Sequence, residues 1–153
     1  MTADILARWA HLYSDNKTVS VTVTYVHLAA VLVAGGLAAA ADREALIASP
    51  SPSPDLAAVH PPHRLIVIAL LVIGLSGILM TLSDVHHFLT SAVFWTKMGL
   101  ILLLLGNGAL RLKAEHAVRL GIAAGWSRLR RTSIASLVLW FVILLAGTII
   151  GAS

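Results

Sequence analysis

Four apolar runs, each long enough to cross a bilayer, follow one another along this chain of 153 residues. A helical crossing takes about 20 residues. The runs cover residues 20–41, 65–82, 88–110 and 133–151. A buried core helix would account for any one of them. Four in succession, with mostly polar joins, point instead to a membrane, where each segment satisfies its own backbone groups and is therefore helical. Hydrophobic residues make up 58% of the chain, above the roughly 45–50% of ordinary soluble domains. The expected fold class is all-α: a single transmembrane domain, an integral membrane four-helix bundle in up-down-up-down order.

Charge orients the bundle. The connection over residues 111–132 carries Arg111, Lys113, Arg119, Arg128, Arg130 and Arg131 against one acid, Glu115. The connection after the first run adds Arg43 and Arg64, whereas the opposite side holds only Arg8 and Lys17, balanced by Asp4, Asp15 and Asp84. The positive-inside rule then places both long connections in the cytoplasm and both termini, with the short 83–87 turn, outside. The expected location is a bacterial inner (cytoplasmic) membrane. The basic connection is read as an orientation signal on an anionic leaflet, with no nucleic-acid partner, since no nucleic-acid motif accompanies it. The first run lacks a preceding basic segment and is expected to be an uncleaved span.

The remaining segments are short. Residues 2–14 place Ile5, Leu6, Trp9, Leu12 and Tyr13 at helical spacing opposite Asp4, Arg8 and His11, which predicts an amphipathic helix on the outer interface. Residues 49–54 alternate Ser and Pro, and Pro61-Pro62 follows, a linker composition. The third helix is expected to run on past Arg111 until Gly121 and Gly125 loosen it. The chain has no cysteine, which excludes a disulfide scaffold, thiolate metal sites and a cysteine nucleophile. No Ser/His/Asp arrangement, phosphate-binding glycine loop or HExxH zinc motif is present, so any catalysis would be carried by a cofactor.

Polar residues inside the runs are the candidate site. Lys97 lies within 88–110, where a lysine costs roughly 2.5–3.5 kcal/mol on the mildest scale. His27 lies about seven residues into the first span, roughly 10 Å below its outer end, and Lys97 about nine residues into the third. Both spans run inward, so the two are expected at similar depth. First and third helices of an up-down bundle are commonly diagonal, and the gap of roughly 12–14 Å between them would take a haem with iron held by His27 and Lys97 as second ligand or beside a propionate. The competing readings are an interhelical hydrogen bond for His27 and snorkelling to an aromatic belt, with Trp95 nearby, for Lys97. Asp84-Val85-His86-His87 in the outer turn offers a further haem ligand, a copper or zinc site with His11, or merely a polar turn. His60, His63 and His116 lie on the cytoplasmic side without a further strong ligand. Asn107 is expected to bond between helices. The small-residue stripes (Thr24, His27, Val31, Gly35; Gly74, Gly77, Thr81; Thr90, Lys97, Gly108; Ser136, Trp140, Gly147, Gly151) either let helices approach closely or leave room for a flat cofactor.

The stretch Tyr25-Val26-His27-Leu28-Ala29-Ala30 with Gly35-Gly36 resembles the opening of copper-resistance protein D-like membrane proteins. The stretch Phe94-Trp95-Thr96-Lys97-Met98-Gly99-Leu100, running on to Asn107-Gly108, is similar to the third helix of that group. A histidine in the first span paired with a lysine in the third also resembles the four-helix, haem-linked bacterial protoporphyrinogen oxidases; this resemblance implies that His27 and Lys97 match their essential pair. The resemblance covers roughly residues 20–112. The expectation is a b-type haem-binding protein for electron transfer or a redox-complex subunit, and, if an enzyme, a haem-dependent membrane oxidoreductase. The candidate cofactor-binding residues are His27, Lys97, His86 and His87. Its partners would be the lipid bilayer and a second copy or a larger membrane redox complex. The alternatives are a copper-handling or transport protein using His27, Asp84, His86 and His87, and a cofactor-free structural subunit.

Overall fold

The computed structural model describes residues 2–48 and 63–152. The Pro/Ser-rich linker and His60 lie outside the described residues. Within them the chain is all-α, a membrane helical bundle of six helices without strands. These are α1 (Thr2–Asp15), α2 (Lys17–Ile47), α3 (His63–Ser83), α4 (Val85–Thr90), α5 (Ala92–Arg119) and α6 (Ala123–Ala152). α2, α3, α5 and α6 are the four helices long and apolar enough to cross a membrane. Large aliphatic side chains such as Leu32, Leu71, Leu102 and Leu145 point outward, as a lipid-facing surface requires.

The chain divides into two compact units. The first comprises Met1–Ala34 and Arg64–Ser91. Here α1 is pinned by its aromatic residues: the Trp9 indole N–H donates to the Leu79 carbonyl at 2.8 Å, and the Tyr13 and Thr24 hydroxyls stand 3.4 Å apart. Ile5, Leu6 and Leu12 stay exposed on the same helix. The amphipathic pattern of residues 2–14 therefore divides into an anchoring pair and an outward apolar set.

Residues 88–90, the second half of α4, belong to the run expected to form the third span. Asp84 caps it, its carboxylate accepting from the His87 backbone N–H at 3.0 Å. The helix ends after six residues, where Ser91 turns extended (φ −79°, ψ 117°). The Thr90 hydroxyl bonds back to the His86 and His87 carbonyls. These local polar bonds compete with helix continuation, so the third span starts at Ala92 and not at Phe88.

The second unit comprises Gly35–His63 and Ala92–Ser153. α5 and α6 form an antiparallel hairpin whose corner is a complete Schellman motif: Gly121 N–H donates to Val118 O and Ile122 N–H to Ala117 O, each at 3.0 Å, with Gly121 at φ +72°. The connection that charge placed at residues 111–132 is thus mostly helix, with three residues between α5 and α6. Gly125 does not loosen the corner but tightens it: a Cβ there would lie 2.8 Å from Val118 N. Ala45, Ala114, Val118 and Leu129 form the buried core beside this corner, with Trp126 against it. Asn107 bonds between helices as its sequence position suggests, donating to the Thr132 carbonyl at 2.8 Å.

Candidate functional site

In the first unit His27 is half-buried on α2, ten residues past Lys17. Its Nδ1 lies 2.9 Å from the hydroxyl oxygen of Ser76 on α3. Ser76 is itself buried and directs its one hydroxyl proton to the Val72 carbonyl, 2.5 Å away, with Ile73 O at 3.2 Å. With that proton committed, Ser76 is the acceptor toward the ring, so His27 Nδ1 carries the hydrogen and donates. The bond fixes the hydrogen on Nδ1, and in the neutral form of the ring Nε2 then carries the lone pair. Gly77 supplies the space beside it, since a Cβ at that position would stand 3.5 Å from His27 Cε1. The helix-approach reading of the glycines holds at this point, whereas Gly74, on the same stripe, has open space around it.

Lys97 belongs to the second unit, and each residue is described within its own. Counted from Ala92, Lys97 lies five residues into α5, roughly 7–8 Å along the axis. His27 lies ten residues into α2. Lys97 is half-buried and turned across the hairpin onto α6: a Cβ on Gly147 would meet its Nζ at 3.3 Å. On the same α6 stripe Trp140 lies over Gly35, whose Cβ would come 3.3 Å from the indole ring. Among the described residues Lys97 has no ion-pair partner.

Asp84, His86 and His87, at the start of α4, are all exposed. Asp84 is used as the α4 cap, and the His87 ring meets Phe88 edge-on with centroids 5.4 Å apart. His11 pairs with Asp15 at 4.0 Å. Among the described residues no three histidine or carboxylate side chains come together as a group that would hold a metal ion.

Two features escaped the sequence pattern. Ser76 is one, and its signal was a lone serine in the aliphatic middle of the second run. The other is a charge cluster in the second unit. Asp42 directly follows the first apolar run and Arg111 counted only toward orientation, yet Arg111 Nε stands 3.3 Å from Asp42 Oδ1 and Nη2 stands 3.2 Å from Glu115. Asp42 is fully buried.

Compared with protein-family models, curated proteins and solved structures, the chain matches none.

Proposed function

We propose that this chain is a small integral membrane haem protein of b type, passing electrons as a subunit of a membrane redox complex. One observation carries the reading: the hydrogen-bond relay from His27 Nδ1–H to Ser76 and on to Val72 O, on half-buried, apolar helices. A neutral imidazole oriented through Nδ1–H by a second residue is the form that ligates iron through Nε2. The donor chemistry therefore fits the group, and His27 would hold it. Bound haem supplies a one-electron couple whose potential is set by the axial ligand, its hydrogen bonding and burial. Ser76 fixes the tautomer and ring plane. The excess of arginine and lysine on residues 111–131 supports an orientation with that end of the hairpin in the cytoplasm of a bacterial inner membrane.

Absorption spectra of the detergent-solubilised protein, oxidised and reduced, test the proposal together with iron analysis. The expected result is a Soret band with stoichiometric iron, both lost in His27→Ala. A sample without Soret band or iron after haem-supplemented expression sinks it. Copper retained without porphyrin, and lost on replacing His86 and His87, would transfer the reading to copper handling.

A further inference from the structure

The charge cluster of the second unit is independent of the haem reading. It joins three helices: Asp42 from α2, Arg111 and Glu115 from α5, and Ser133 and Ser136 from α6. Asp42 and Ser133 are wholly buried, and Ser136 nearly so. Arg111 and Glu115 are only 13% and 15% exposed.

Arg111 does not divide itself evenly. Its Nη2 pairs with Glu115 at 3.2 Å and donates to the Ala41 carbonyl at 3.3 Å. Toward Asp42 it offers Nε at 3.3 Å without hydrogen-bond alignment. The Ser133 and Ser136 hydroxyls turn toward the Asp42 carboxylate, yet neither Asp42 oxygen closes a well-formed hydrogen bond, and Ser133 Oγ has no partner among the described residues. A fully buried carboxylate is thus left underpaired, with a buried hydroxyl aimed at it.

The charges do not balance either. Among the described residues two carboxylates face one guanidinium, one negative charge in excess. On α2 the neighbouring Arg43 and Glu44 pair with each other at 3.0 Å and on the outside. From α6 no charged side chain faces Asp42; Arg130 donates to the Ala48 carbonyl instead. A water in the cluster would satisfy hydrogen bonds but leave the excess charge in place. Burying uncompensated charge is what protein interiors avoid.

We propose that the Asp42–Arg111–Glu115–Ser133–Ser136 cluster is a binding site for one monovalent cation, either a proton or a sodium ion, taken up on the buried carboxylate. One positive charge neutralises the cluster. A divalent ion would overshoot the charge. The serine hydroxyls supply the oxygen ligands, or the hydrogen-bond partners of a protonated acid. Either single replacement, Asp42→Asn or Glu115→Gln, removes the excess charge and with it the reason for uptake.

The test uses the full chain reconstituted in liposomes at neutral pH. Infrared spectroscopy reads the carbonyl stretch of a protonated carboxylic acid, and retention of radiolabelled sodium reads the other source. An acid band in the wild type that is lost in both Asp42→Asn and Glu115→Gln assigns a proton. One sodium per chain, retained by the wild type and lost in both variants, assigns sodium. Glu115→Gln keeps the buried Asp42–Arg111 pair and serves if Asp42→Asn fails to fold. A wild type with neither signal, or a signal that persists in Glu115→Gln, overturns the proposal.

Discussion

His27 Nδ1 stands 2.9 Å from Ser76 Oγ, and Ser76 passes its own proton to Val72 O. The serine thereby acts on the imidazole and would never touch a bound iron. Ser76→Ala removes the acceptor that fixes the tautomer without deleting the ring. Outer partners of a ligating histidine are worth roughly 10–100-fold in affinity, so haem titration onto the apoprotein should show retention weakened by about tenfold or more. Ser76→Thr keeps the hydroxyl and should restore most of it. Unchanged haem affinity in Ser76→Ala would return the contact to a plain interhelical hydrogen bond.

Arg111 and Asp42 respond asymmetrically to substitution. Arg111→Met leaves the buried Asp42 and the part-buried Glu115 without their cation, and breaking a buried pair in this way costs roughly 3–5 kcal/mol. Asp42→Asn leaves Arg111 still paired with Glu115 and costs less. The double variant should recover part of the Arg111→Met loss, because one orphaned charge is gone. Unfolding in mixed detergent micelles measures all three. Equal losses from the two single variants would show that the pair, and not the excess charge, dominates.

The four apolar runs made the helices legible, because an aliphatic segment of that length has one way to satisfy its backbone in lipid. Their ends were less so. The break at Ser91 depends on Thr90 bonding backward and Asp84 capping forward, and hydropathy is blind to both. Gly121 signals a turn by composition, but that Gly125 sits against the α5 backbone is a tertiary fact. His27 and Lys97 stood out because each is costly where it lies. Ser76 cost little and passed unnoticed. Arg111 counted only toward orientation, since its pairing with Asp42 across some seventy residues leaves no trace in local pattern.

Glycines of the second unit should rank by what their Cβ would meet. Gly125→Ala drives a methyl to 2.8 Å from Val118 N and 3.0 Å from Ala117 C, both backbone atoms that cannot step aside. Overpacking of this kind costs about 1–3 kcal/mol. Gly121→Ala forces an L side chain into φ +72°, roughly 1–2 kcal/mol. Gly108 has open space within α5, and Gly108→Ala should gain a few tenths up to about 1 kcal/mol from helix propensity. Thermal unfolding of the three variants should give that order, with Gly125→Ala lowest. A Gly125→Ala protein as stable as wild type would mean the corner opens at little expense.

Lys97 and Gly147 set a last test of why the lysine is there. The ammonium lies over the α6 backbone with no counter-ion among the described residues, in a run where a lysine is expensive. Lys97→Met keeps the volume and removes the charge. Because the side chain is only half-buried, the gain should be about 1–2 kcal/mol, part of the roughly 2.5–3.5 kcal/mol of a fully lipid-embedded lysine. Gly147→Ala places a methyl 3.3 Å from Nζ, the far end of a flexible chain, so the lysine moves aside and stability changes by less than about 0.5 kcal/mol. Unfolding measurements on both variants check the pair. A Lys97→Met protein less stable than wild type would show that the ammonium already has a favourable electrostatic role in the second unit, and that its position over Gly147 stabilises the hairpin.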